Sequence, residues 1–459
     1  MPQDSLDNPA QPALRWYQGL DRYCWIVLTI AALGWLFDTM DQNLFNLVRT
    51  PSLRDLLRSS YPDPAALDAA IKSTGGLVTA IFLIGWSCGG FIFGILGDRL
   101  GRTRTMILTI LIYAAFTGLS GLATNWQMYA VARFMTAVGV GGEWAAGAAL
   151  IAETFPSRSR PMALGMLQAL SAVGNMLACV VTLMISNLDE HWRWAYFVGT
   201  VPAFLVLWIR RSVKEPPAWH EAKVSATMGR ELGNIADLFK HPKLLRNTVV
   251  GTLLGTAGVA SLWGIAFFSP DMIDGELRSA GVDAARSGQL KSMMFFLQQA
   301  GAFVGMVLFA PLAERIGRKL TFIVSFALAW ASILAFFWGI QGSGEAAFTR
   351  SLVLAPILGF CTLGPFAGYT VYFPELFPTR LRSTGCGFCY NAARILAAAA
   401  PFALGSLRSN LGGFAQAATV VSFILVLGFL GAILGPETRG KPLPEDADFE
   451  DAEVAGVAH

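Results

Sequence analysis

The chain has 459 residues, 54% of them hydrophobic and only 14% charged, with 34 Lys and Arg against 31 Asp and Glu for a formal charge of +3. A typical soluble domain carries about 25% charged residues, so this composition, with a mean hydropathy of +0.51, fits a chain built for a bilayer. The near-neutral balance provides no basic face for tracking phosphates, so nucleic acid is not an expected partner.

The N-terminal stretch to Tyr23 is polar and holds Pro and Asp, without the basic start and short apolar core of a signal peptide; it is expected to remain as a cytoplasmic tail. Crossing a ~30 Å hydrocarbon core takes ~20 residues of helix. On that measure twelve helices are predicted, beginning near Tyr23, Thr74, Thr105, Trp126, Pro161, Trp194, Leu244, Leu290, Leu320, Ser351, Ser383 and Gly413. Two connections read as long and polar, 49–73 and 213–243. With the N-terminus inside, the inner side collects 22 Lys and Arg and the outer side 10, leaving Arg133 and Arg394 within predicted helices. Both termini are therefore expected in the cytoplasm, in a bacterial inner membrane or a plasma membrane. The expected organisation is a tail (1–22), a six-helix bundle (23–212), a central loop (213–243), a second six-helix bundle (244–435) and a tail (436–459).

The two halves repeat each other. Gly94-Ile-Leu-Gly-Asp98-Arg99-Leu-Gly101-Arg102 recurs as Ala310-Pro-Leu-Ala-Glu314-Arg315-Ile-Gly317-Arg318, offset by 216. Glu153-Thr-Phe-Pro156-Ser-Arg158-Ser-Arg160 recurs as Glu375-Leu-Phe-Pro378-Thr-Arg380-Leu-Arg382, offset by 222, and Glu215 matches Glu437 at the same offset. All these motifs fall on the inner side, so the repeats run the same way about an axis along the membrane normal, which is an alternating-access architecture with a cavity between two bundles. The expected fold is all-α: twelve transmembrane helices in two six-helix bundles. The glycines suit tight turns and the charges can pair at helix ends in one state and part in the other. Gly94, Asp98, Arg99, Gly101, Arg102, Glu153 and Arg160, with Glu314, Arg315, Gly317, Arg318, Glu375 and Arg382, are thus expected to form a cytoplasmic gate.

Ionisable residues at membrane depth cost at least ~2.5–3.5 kcal/mol each and need a partner or a purpose. Asp38 and Asp41, three apart on one face of the first helix, are expected to point at the central cavity. Two carboxylates so close in a low-dielectric site do not both ionise easily, which suits proton coupling; Glu143, among the glycines of helix four, is a further proton-site candidate. Arg133 and Arg394 offer forked donors that could clamp a substrate carboxylate, or else pair with an acidic neighbour. Gln42, Asn46, Gln168, Asn175, Trp263, Gln298, Gln299, Tyr369, Tyr390 and Asn391 are expected in the cavity lining, Gln168 and Asn175 being two turns apart on one face.

From Gly94 to Arg104 the sequence resembles the signature of the major facilitator superfamily. Arg133 to Pro156 and Pro436-Glu-Thr-Arg-Gly440 resemble its sugar-porter branch, although the Gln-Gln-x-Ser-Gly expected in helix seven of that branch is missing between Leu244 and Pro270. Tyr372 to Arg394, followed by Ala-rich sequence and Pro401, together with Asp38 and Asp41, resembles the metabolite:proton symporters of aromatic acids, sialate and short carboxylates. The resemblance implies a secondary transporter that takes up a small organic anion (a monocarboxylate, an aromatic acid or an acidic sugar) with protons as the coupling ion. A neutral-sugar symporter or facilitator, and a drug or metabolite antiporter, are the alternatives. No enzyme, organic cofactor or metal site is expected, because the four His lie outside the predicted helices and the Cys386-x-x-Cys389 pair has no His beside it. A monomer is expected.

Overall fold

The computed structural model describes residues 16–185, 191–226, 231–397 and 411–449, together with 400, 403, 404 and 407. The expected N-terminal tail up to residue 15 and the C-terminal residues from 450 lie outside the described residues. The first half holds α1 (Arg22–Leu57), α2 (Pro64–Arg99), α3 (Arg102–Gly121), α4 (Trp126–Thr154), α5 (Arg160–Ile185), and a sixth crossing in two pieces, α6 (His191–Val198) and α7 (Ala203–Ser212). Two short helices, α8 (Pro217–Ala226) and α9 (Asp237–Lys240), lie in the connection. The second half holds α10 (Pro242–Gly264), α11 (Ser269–Ser279), α12 (Ala284–Ile316), α13 (Arg318–Ile340), α14 (Ala346–Tyr372), α15 (Arg382–Ala397), α16 (Phe414–Ser422) and α17 (Leu425–Leu434). Among the described residues eleven helical stretches are long and apolar enough to cross a membrane. The remaining crossing, eleventh in chain order, begins with α15, of which 16 residues are described. The fold is the all-α, twelve-helix membrane fold in two six-helix bundles.

Local chemistry sets the helix starts. Asp21 accepts from the Cys24 N–H at 2.8 Å, Asp63 from Ala66 N–H at 2.8 Å with Pro64 in the first turn, and Asn125 from Met128 N–H at 2.8 Å. The first of the two long polar connections is shorter than the sequence suggests. Helix α1 runs on through Arg49, Pro51 and Arg54 to Leu57, because Val48, Leu53, Leu56 and Leu57 are buried against the bundle, and α2 starts ten residues before Thr74. Only 58–63 remains outside helix.

Within each half one helix pair is pressed together by glycine. A Cβ at Gly141 of α4 would fall 2.1 Å from the Trp86 carbonyl oxygen of α2, and a Cβ at Gly359 of α14 would fall 1.9 Å from the Gln298 carbonyl oxygen of α12. The repeat seen in the motifs therefore extends to the packing. The halves meet along α2 with α15 and α5 with α12. Large apolar side chains such as Ile84, Val131, Phe204, Val353 and Leu396 are exposed on the outside, as a lipid-facing surface requires.

The close approach predicts asymmetric costs for alanine. In thermal unfolding of purified protein, Gly141→Ala and Gly359→Ala should each lose about 1–3 kcal/mol from overpacking, whereas Gly76→Ala, with nothing within 4 Å of the added Cβ, should lose none.

Candidate functional site: a cavity between the halves and its gate

Between the halves lies an open cavity with about 560 Å3 of empty space, its mouth included. Two walls of different chemistry face each other. Helices α1 and α5 contribute Trp35, Thr39, Gln42, Asn43, Asn46, Gln168, Ser171 and Asn175, a surface rich in amides and hydroxyls. Against it stand Trp86 of α2, Leu262 and Trp263 of α10, Leu363 and Phe366 of α14, and Tyr390 and Arg394 of α15. Helical spacing accounts for the amide wall: 35, 39, 42, 43 and 46, and 168, 171 and 175, each follow one face.

Among the described residues Arg394 is the only arginine or lysine lining this cavity. Its guanidinium lies 3.8 Å from the centre of the Trp86 ring and 4.2 Å from that of Tyr390. Its Nη1 donates to Asn391 Oδ1 at 2.8 Å. With rings from both halves on the cation, its N–H edge is what remains for a ligand, and among the described residues no carboxylate lies within salt-bridge distance of it. The stack continues through Tyr390 to Trp144 of α4, with ring centres 4.5 Å apart and planes at 17°. Trp144 Nε1 donates to Gln168 Oε1 at 3.0 Å, and Thr370 Oγ1 of α14 donates to the same oxygen at 3.1 Å.

Behind the cavity lie the buried carboxyls. Asp38 and Glu143 face one another, Glu143 reaching over Gly34, where a Cβ would fall 1.9 Å from Glu143 Oε1. None of their four oxygens accepts a hydrogen bond from any other described side chain or backbone. Asp41 instead accepts from Thr117 Oγ1 at 2.8 Å and pairs with Arg133 at 3.4 Å. Arg133 also donates to Ser120, Thr117 and Thr136 at 2.8–3.0 Å and lies 4.6 Å from the centre of the Tyr196 ring.

This separates residues that the sequence grouped together. Asp38 and Asp41 share a helix face but not a partner, and neither lines the cavity; α1 presents Thr39, Gln42, Asn43 and Asn46 there instead. Arg133 is fully engaged inside the first bundle, away from the lining. Tyr369 donates to the Leu254 carbonyl at 2.7 Å, stacks on Phe373 and is also outside the lining, as is Asn391. Gln42, Asn46, Gln168, Asn175, Trp263, Tyr390 and Arg394 do come together there, whereas Gln298 and Gln299 lie outside the lining. Trp35, Thr39, Asn43, Trp86 and Ser171 were missed, although the i, i+3, i+4 positions flanking Gln42 and Gln168 were a usable signal for the α1 and α5 members.

One face of the bundle, the near face carrying the N-terminal segment and the repeated motifs, is closed by bonds between halves. Asp98 at the end of α2 accepts from the backbone N–H groups of Ser383 and Thr384 at 3.1 and 2.8 Å, capping α15 across the interface. Arg102 holds Glu153 with two hydrogen bonds of 3.0 and 2.8 Å and donates to the Thr379 carbonyl at 2.7 Å. Arg382 of the other half donates to the same Glu153 at 2.7 Å. Arg99 donates to the Leu232 carbonyl at 3.1 Å. Gly94 fits closely, its added Cβ lying 3.2 Å from the Ser383 carbonyl. Arg160 is turned to Ser157 at 3.5 Å.

The second-half motif does not mirror this. Arg318 pairs with Glu375 and with Glu314, and Glu375 accepts from Thr438 at 2.6 Å, all within one half. Glu314 and Arg315 make no recorded bond to the first half among the described residues, so the expected twofold gate is one-sided here. What does repeat is a cap. Gly101 and Gly317 precede α3 and α13 at φ 107° and 92°, a conformation suited to glycine. Glu215 accepts from the N–H of Thr103 and Arg104, and Glu437 from those of Arg318 and Lys319, at 3.0–3.2 Å. Partial burial works against the Glu437 charge, but the donated backbone hydrogen bonds outweigh it and hold its pKa below the usual value.

The sequence model of the Major Facilitator Superfamily matches residues 32–401. A protein of Cupriavidus pinatubonensis (strain JMP 134) named for 4-methylmuconolactone transport is 30% identical over 412 residues, 89% of each chain. The sialic acid transporter NanX of Escherichia coli (strain K12) is 27% identical over 423 residues, 91% of this chain and 96% of the relative. Among solved structures, the proton:xylose symporter XylE bound to 6-bromo-6-deoxy-D-glucose superposes with a TM-score of 0.72 at 19% identity, covering 93% of this chain and 99% of the other.

The shared Glu153 predicts the strength of near-face closure. With Ser383→Cys as the sole cysteine, a buried reporter between α2 and α15, Glu153→Gln should raise the maleimide labelling rate at least about tenfold, the equivalent of ~1.4 kcal/mol. Glu314→Gln should leave it unchanged.

Proposed function

The chain belongs to the Major Facilitator Superfamily and is a multi-pass membrane transporter of small metabolites, and from that premise we propose that it carries a small organic anion together with protons by alternating access. The observation that carries this reading is Arg394: a cation at the cavity wall, 3.8 Å and 4.2 Å from the centres of two rings, with no carboxylate of the described residues in salt-bridge distance. A substrate carboxylate supplies the missing charge with charge-assisted hydrogen bonds, and Trp35, Trp263 and Phe366 give its carbon body an apolar bed. The name of the NanX relative, a transporter of an acid, agrees.

Protons enter through the Asp38–Glu143 pair. A hydrogen bond between two carboxyls exists only with a proton between them, and this pair has no other donor. A substrate anion docked at Arg394 and a proton on the carboxyl pair together leave the interior without unmatched charge before the halves rock. Asp41, tied to Arg133, is the second carboxyl that can take part. Rocking then breaks the bonds of Asp98, Arg102, Glu153 and Arg382 and opens the near face, assigned to the cytoplasm of a bacterial inner membrane or plasma membrane by the excess of Lys and Arg on that side. The transporter works as a monomer in this reading.

A neutral sugar is the second reading, favoured by the amide wall of Gln42, Asn43, Asn46, Gln168 and Asn175. Uptake of radiolabelled lactate, benzoate, N-acetylneuraminate and glucose into proteoliposomes, with and without an inward proton gradient, separates the two. One of the acids should enter faster with the gradient, and Arg394→Ala should cut its uptake about ten- to hundredfold, the worth of a charged hydrogen bond of ~1.5–3 kcal/mol. Asp38→Asn should abolish the response to the gradient while acid–acid exchange persists. Glucose uptake indifferent to the gradient, with no acid transported, would replace this reading by the sugar facilitator.

A further inference from the structure

The interface between α2 and α15 runs from the near-face gate to the cavity as a continuous ladder. At its gate end Asp98 holds the N–H groups of Ser383 and Thr384. One step inward, a Cβ at Gly97 would fall 2.3 Å from Ser383 Oγ. A Cβ at Gly387 would fall 2.7 Å from the Gly90 carbonyl oxygen. At the cavity end Trp86, one helical turn from Gly90, covers Arg394.

Asn391 occupies the rung between. A Cβ at Gly90 would lie 1.8 Å from Asn391 Nδ2, 2.2 Å from Cγ and 2.5 Å from Oδ1, so the whole amide fills the notch left by the missing side chain. Nδ2 donates to the Gly387 carbonyl at 2.7 Å, which fixes the direction of the amide, and Oδ1 accepts from Arg394 Nη1 at 2.8 Å. Asn391 is 1% exposed and outside the cavity lining.

We infer that Asn391 is a positioning residue that sets Arg394 for anion binding only while α2 and α15 are in contact, so that opening the near face itself lowers the affinity for the substrate. The inference rests on the reading of Arg394 as the carboxylate clamp. Helix α2 supplies both the notch behind the amide and the ring over the guanidinium. When α2 leaves α15, the amide loses its seat and the cation loses one of its two rings in the same motion. The guanidinium then regains torsional freedom that carboxylate binding would have to remove. Substrate is held tightly from the far face and released at the near face without a separate release mechanism.

The test is a double-mutant cycle on proteoliposomes of defined orientation, with KM measured from each face for whichever of lactate, benzoate and N-acetylneuraminate is taken up. Wild type should show the lower KM from the far face. Asn391→Ala should raise the far-face KM about tenfold and leave the near-face KM within about twofold, collapsing the ratio. Gly90→Ala, whose methyl evicts the amide, should do the same, and should add nothing in the Asn391→Ala background, where its methyl enters a vacated notch. Additive effects, a KM raised equally from both faces, or a wild-type ratio in Asn391→Ala would overturn the inference. Should Gly90→Ala fail to fold, Asn391→Ala alone still decides, through its two-face ratio. Failure of the underlying reading looks different: Arg394→Ala transports the acids as well as wild type, or none of the acids is transported, and the inference falls with it.

Discussion

A charge buried at membrane depth has to be matched by an opposite charge, by hydrogen bonds or by a proton, and this constraint organises the interior of the protein. Arg133 is matched in full, by Asp41, two threonines and a serine. Arg102, Glu153 and Arg382 match one another across the two halves. Among the described residues beside the cavity, Asp38 and Glu143 form a carboxyl pair without donors and Arg394 is a cation without a carboxylate in salt-bridge distance, while Arg160 at the near face keeps only a 3.5 Å bond to Ser157 and an unpartnered Nε. The three at and just behind the cavity stand where a substrate anion and a proton can complete them.

The two halves share a plan but not a workload. Both use a glycine with positive φ before the third helix of the half, capped by the carboxylate after its sixth, and both press two helices together on glycine. Only the first half sends its repeated acid across the interface: Asp98 caps α15, whereas Glu314 pairs with Arg318 on its own side. The shorter aspartate holds two N–H groups and also meets Arg102 at 3.2 Å, while the glutamate remains 39% exposed in its side chain. Closure at the near face thus depends on one set of bonds that a rocking motion can break together.

Much of this was legible in the sequence. Hydropathy runs located twelve crossings, and the offsets of 216 and 222 exposed the repeat and its motifs. Helical spacing placed Gln168 and Asn175 on one wall. What spacing cannot give is the rotation of one helix against another. Asp38 and Asp41 are three apart, yet they answer to Glu143 and Arg133 on different parts of α4, and the shared face pointed away from the cavity rather than into it. Tyr369 and Asn391 looked like lining because they are polar or aromatic at the right depth; a backbone carbonyl and a glycine notch claim them instead. The Trp86–Arg394–Tyr390–Trp144 stack joins three helices from two halves and leaves no local pattern in the chain.

Because the account routes the coupling proton through the Asp38–Glu143 pair, infrared difference spectroscopy of the purified transporter is its most direct test. The account predicts a carbonyl stretch of a protonated carboxyl that shifts when a transported acid is added and is lost in both Asp38→Asn and Glu143→Gln. A wild-type spectrum without that band, or a band of unchanged intensity in both variants, would contradict it.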